Sequence, residues 1–123
     1  MPVIVVFAID VVLTIAFAII GRASHEHGLT LGGIAQTAWP FLVGLVVGWL
    51  VATMIAKGYP TTWRTAWPVW IITVLVGMLL RQFTGQGTAA AFVAVATLTL
   101  GVLLIGWRLL ASTALRQNTP TAQ

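Results

Sequence analysis

The chain has 123 residues, 59% of them hydrophobic and only 7% charged, with a mean hydropathy of +1.03. A soluble domain of this size lacks the interior to hide so much apolar surface, so the expected solvent is lipid. Six basic residues give a formal charge of +4, but they never cluster and fall at the ends of apolar runs, which argues against nucleic-acid binding; the absence of cysteine excludes disulfides, thiolate metal sites and a cysteine nucleophile.

Four apolar segments follow in chain order, at about 2–21, 38–56, 62–81 and 88–111. The first has no basic stretch before it, is too long for a signal-peptide core and carries an acid mid-run, so it is expected to be retained as a membrane helix. That acid, Asp10, lies inside the unbroken run from Val3 to Ile20, roughly 12 Å from its start. An ionised carboxylate there costs about 2.5–3.5 kcal/mol on insertion scales. The thirteen Val, Ile, Leu and Phe residues of the run each return about 0.3–0.6 kcal/mol, so the helix still inserts. Asp10 nevertheless needs a partner, a proton or water.

Depth ranks the cations that could serve. Arg108 falls near the cytoplasmic end of the fourth helix, with Asp10 about 6–9 Å deeper, a gap two side chains nearly close. Arg22 and Arg81 belong to the outer boundary. Arg108 is therefore the first choice, with Thr14, Thr73 and Thr97 as neutral hydrogen-bonding alternatives. Two roles stay open for Asp10, a structural latch with Arg108 or a carboxyl that takes up and releases protons.

After the first helix, His25-Glu26-His27 could at most bind a metal weakly, because residues two apart do not share a helix face and no third ligand is visible; no metal site is expected. Thr37-Ala38-Trp39-Pro40 then recurs as Thr65-Ala66-Trp67-Pro68. Each copy is expected to open a helix, with Trp at the interface and Pro in the first turn, where its missing N–H breaks no helical bond. The repetition reads as two identical start signals, or as an inverted internal repeat of the transporter kind. Trp49 lies near the middle of its helix, away from any interfacial belt; simple packing or the lining of a cavity would account for it.

Each segment carries one stripe of small or polar residues. These are Asp10, Thr14, Ala18 and Gly21 in the first and Pro40, Gly44, Gly48, Ala52 and Ala56 in the second. The third has Thr73, Gly77 and Arg81, and the fourth Ala90, Ala94, Thr97, Gly101 and Arg108. The spacing puts each set on one face, where small residues allow close helix approach. Gly44, Gly48, Gly77 and Gly101 are the expected packing glycines, and the face of Gly44, Gly48 and Ala52 suggests a homo-oligomer. Between the third and fourth helices, Arg81 through Thr88 holds two glycines and a threonine placed to cap helix four. Arg81, Gly87 and Thr88 there form a candidate anion site, a capped tight turn being the alternative.

With four spans, Lys57, Arg64, Arg108 and Arg116 share one side and Arg22 and Arg81 the other, which favours both termini in the cytoplasm of a plasma-membrane protein. Trp63, Trp67 and Trp107 at one boundary and Trp39 at the other fit an aromatic belt. Residues 117–123 form a polar tail expected to be disordered. The expected fold is all-α, a single four-span transmembrane helix bundle over residues 1–116 with short loops.

Several blocks resemble a known family: Asp10 in helix one, Arg22 with His25, the stretches 37–49 and 77–93, and Gly106-Trp107-Arg108. It is similar to small four-helix bacterial and archaeal membrane proteins catalogued only as a domain of unknown function. The resemblance covers Pro2 to about Arg108 and implies a four-span membrane protein, with no activity attached. No GxSxG, HExxH, P-loop or paired carboxylates are present, so neither an enzyme nor a cofactor is expected. Two functions lead, with a membrane enzyme acting on a lipid-soluble substrate a distant third. One is a proton- or ion-coupled transporter or channel subunit using Asp10 with Arg81 and Arg108. The other is a non-catalytic accessory or assembly subunit of a larger membrane complex.

Overall fold

The computed structural model describes residues 1–24 and 29–118. Four helices make up the described chain: α1 (Val3–Ser24), α2 (Leu31–Ala56), α3 (Trp67–Phe83) and α4 (Ala90–Asn118), with one 3-10 turn, Trp63–Thr65, before α3. The bundle is all-helical. α1, α2 and α4 are long and apolar enough to cross a bilayer. α3 has 17 residues, about 25 Å of helix, which is the lower limit for spanning a hydrocarbon core of about 30 Å.

The helices run up and down, each against its sequence neighbours, and α4 returns to α1 to close the bundle. The α2–α3 interface is the most extensive and α1–α4 the slightest of the four. The reason lies in the glycines of α2. A Cβ on Gly44 would stand 2.7 Å from the Thr73 carbonyl oxygen, and one on Gly48 would stand 2.9 Å from that of Val69. Without a hydrophobic effect between helices in lipid, such backbone proximity is a main source of packing energy. Gly77 admits the ring of Phe41 and Gly101 the indole of Trp70 in the same manner. Gly44 and Gly48 are thus covered by α3 of the same chain and Ala52 beside them is buried, so this face is not open to a second copy.

Several boundaries differ from expectation. α2 begins at Leu31, seven residues before the expected start at 38, because the Thr30 hydroxyl accepts from the Gly33 N–H and caps the helix there. Pro40 consequently lies inside α2, not in its first turn, and removes the N–H that would bond the Gln36 carbonyl; membrane helices tolerate this. The second TAWP behaves as expected, with Trp67 opening α3 and Pro68 in its first turn. α4 continues to Asn118, so Gln117 and Asn118 of the expected tail are helical, while 119–123 lie outside the described residues. The expected small-residue stripe of α4 is also displaced. Its buried ridge is Ala96, Leu100, Leu104 and Arg108, four apart, whereas Ala90 and Ala94 are exposed. Along α1, Asp10, Thr14, Ala18 and Gly21 are all buried.

Candidate functional site

Among the described residues, one ion pair lies in the interior. Asp10 comes from the middle of α1 and Arg108 from α4, 98 residues away, and the two side chains are wholly buried. Contact is direct, with no residual gap in depth: Arg108 Nη1 donates to Asp10 Oδ1 at 2.9 Å and Nη2 to Oδ2 at 2.7 Å, a bidentate fork. The indole Nε1 of Trp49 donates to Oδ2 at 2.8 Å and that of Trp107 to Oδ1 at 2.9 Å. A carboxylate offers about four lone-pair sites, and all four are taken by N–H donors.

Arg108 is as fully used. Of its five N–H groups, two bind Asp10, Nη1 also donates to the Leu104 carbonyl at 2.6 Å, and Nε and Nη2 both donate to the Pro60 carbonyl at 3.0 and 2.9 Å. The cluster therefore joins α1, α2, α4 and the segment between α2 and α3. Phe7 packs edge-on to Trp49, with ring centroids 5.2 Å apart, and helps keep the cluster dry. Among the described residues, no buried side-chain nitrogen or oxygen lacks a partner.

Chemically, a saturated cluster of this kind differs from an open carboxyl. A proton arriving on either Asp10 oxygen would have to displace a donor, because every neighbour presents an N–H and none an acceptor. No lone pair remains for a metal or a substrate. The three threonines considered as alternative partners turn elsewhere. Thr14, Thr73 and Thr97 donate to the carbonyls of Asp10, Val69 and Val93, each four residues back on its own helix.

Sequence reasoning missed three members. The sequence offers packing or a cavity for Trp49 and the interfacial belt for Trp107, and it does not single out Pro60. The available signal was Trp49, since an indole N–H at mid-membrane depth requires an acceptor and Asp10 is the one acid at that depth. Nothing local marks Pro60, whose carbonyl enters only through the path of the connecting segment.

Arg81 sits at the other end of the bundle and does not meet Asp10. Its Nε donates to the Gly87 carbonyl at 3.0 Å, Nη1 to Gln86 Oε1 at 3.2 Å and Nη2 to the Gln86 carbonyl at 3.3 Å. Thr88 does not cap α4, which starts at Ala90; its hydroxyl donates to Gln82 Oε1 at 3.0 Å. The combination of Arg81, Gly87 and Thr88 around a helix N-terminus is therefore not formed as expected, because the loop carbonyls bind the arginine. The His25-Glu26-His27 segment lies outside the described residues.

Comparison with curated proteins and with solved structures finds no match. A family model does match, over residues 7–111, which takes in α1 from Phe7 to the end of α3 and most of α4, with Asp10, Trp49, Pro60, Trp107 and Arg108 all inside it. The chain belongs to the family described as protein of unknown function (DUF3054).

Proposed function

We propose that this chain is a non-catalytic subunit of a membrane assembly, and that Asp10 with Arg108 is a structural latch instead of a proton-carrying site. The observation that carries the reading is the saturation of the Asp10 carboxylate, four N–H donors on two buried oxygens. A proton carrier must exchange with water, and this carboxylate has neither exposure nor a spare lone pair. A docking role is supported by α4, which buries only a narrow ridge while Val95, Leu98 and Val102 face outward, free for lipid, another subunit or another copy. Discounting Arg108, which is neutralised within the bundle, Lys57, Arg64 and Arg116 still outnumber Arg22 and Arg81. That balance supports both termini in the cytoplasm of a plasma-membrane protein.

The test is reconstitution of the purified chain in liposomes under a pH gradient, paired with melting curves. The latch reading expects no proton flux that depends on Asp10, and a large loss of stability in Asp10→Asn. Proton flux in the native protein that vanishes in a normally stable Asp10→Asn variant would instead establish the carrier.

A further inference from the structure

At the end of the bundle opposite the latch, an open cavity of about 360 Å³ lies between α1, α2, α3 and the loop before α4. Arg22, Gln36, Thr37, Arg81 and Gln86 supply its polar lining, and Gly21 leaves one wall without a side chain. We propose that this cavity binds a phosphate-type oxyanion, held between the guanidinium groups of Arg22 and Arg81.

Pre-organisation is the first argument. Arg81 is fixed by three hydrogen bonds to Gln86 and Gly87 and by stacking over the Phe92 ring, 4.1 Å from its centroid. Those bonds use one N–H on Nε, one on Nη1 and one on Nη2, leaving one on each terminal nitrogen. Two such N–H groups on a planar, immobilised fork match two oxygens of a phosphate, and a fixed group loses little entropy on binding. Arg22 is steadied from the other wall, where its Nη1 donates to Thr37 Oγ1 at 3.2 Å. The amide of Gln36 adds a neutral donor, while Gln86 holds Arg81 through Oε1 and donates through Nε2 to Thr84 Oγ1 at 3.3 Å.

Charge is the second argument. The sequence contains two acids, and Asp10 is spent at the far end. Among the described residues, the cavity lining carries two cations, Arg22 and Arg81, and no acid. Position supplies the third. The cavity lies where α1 and α3 end and α2 and α4 begin, the level at which lipid phosphates lie, and its volume falls in the range of small-ligand sites. A phospholipid headgroup and a free phosphate share this chemistry.

The full chain, purified in a nonionic detergent, is titrated calorimetrically with inorganic phosphate and with dihexanoyl phosphatidic acid, using dihexanoylglycerol as the uncharged control. Binding is expected from at least one phosphate probe and not from the control. Binding of the lipid alone assigns the site to a headgroup, and binding of phosphate alone assigns it to a soluble anion. Arg22→Gln and Arg81→Gln should each weaken binding about tenfold or more, the worth of one or two charge-assisted hydrogen bonds. Because Arg81 also secures its loop, Gly21→Leu provides the separate measure. A Cβ there meets nothing within 4 Å, so the variant fills the cavity without removing a charge and should abolish binding while the chain still melts cooperatively. No heat from either phosphate probe, equal heat from the uncharged control, or unchanged affinity in Gly21→Leu overturns the proposal. None of these outcomes bears on the latch, whose residues are left intact.

Discussion

The Pro60 carbonyl receives two N–H bonds from Arg108, so the segment joining α2 to α3 is tied to α4 by the same guanidinium that binds Asp10. A lysine could neutralise Asp10 but could not reach two carbonyls and both carboxylate oxygens at once, since it has three donors in place of five. Arg108→Lys should accordingly cost about 1–3 kcal/mol through the acceptors it leaves unmet. Calorimetric melting in detergent checks this, and wild-type stability would show that charge alone suffices.

Asp10→Asn and Arg108→Gln should each destabilise the bundle by about 3–5 kcal/mol, because each strands a buried charge. Asn keeps the shape of Asp but turns an NH2 group toward donors that need an acceptor. The double variant should be less damaging than the sum of the two, giving a non-additive cycle. Additive, small effects would mean that the pair is not coupled.

Trp49→Phe keeps the aromatic volume beside Phe7 and removes only the N–H that reaches Asp10 Oδ2. An expected loss of about 1–3 kcal/mol follows from the unfilled buried lone pair. Trp107→Phe should cost less, its bond being partly buried. Equal melting temperatures for wild type and Trp49→Phe would remove the indole from the latch.

Gly44→Ala and Gly48→Ala should each cost about 1–3 kcal/mol by pushing α2 away from α3, with no change in oligomeric state, because this face is internal. Gly21→Ala has open space at its Cβ and should be neutral or stabilising by up to about 1 kcal/mol. Light scattering together with melting checks both statements; a change in the number of copies caused by Gly48→Ala would place that glycine at an intermolecular contact after all.

Cysteines introduced at Leu29 and Thr61 should label from opposite faces of intact cells, Leu29 from outside. Both positions lie in the connections at opposite ends of α2. Labelling of Thr61 alone from outside would invert the orientation.

The helices and the Asp10–Arg108 pairing were legible because hydropathy and the scarcity of intramembrane charge leave few alternatives. The start of α2 was not. Gly32, Gly33 and Gln36 dilute its hydropathy, and the Trp39-Pro40 pair looks like a helix opening, while the actual signal was the plain cap at Thr30. The small residues of α4 do not mark its ridge because small residues occur on lipid-facing surfaces as well; counting back in fours from Arg108 gives Leu104, Leu100 and Ala96. The indole donors and the Pro60 carbonyl depend on chain separations of 39, 97 and 48 residues, which no local pattern encodes.

The separation of 98 residues between Asp10 and Arg108 also sets an order of events during synthesis. α1 enters the bilayer with its acid unmatched and must wait for the last helix to be made before the bundle can close. When α4 is in place, the seam between α1 and α4, the slightest of the four, is joined by the ion pair and by the Trp107 bond to the same carboxylate. A chain that lacks α4 thus carries an intramembrane carboxylate without its guanidinium, which is the feature a degradation experiment can probe. A chain cut after Gly101 should be degraded faster in a pulse-chase experiment than the full chain, and Asp10→Leu in the cut chain should slow that loss. Equal lifetimes for the cut chain with and without Asp10 would show that the acid is not what marks it.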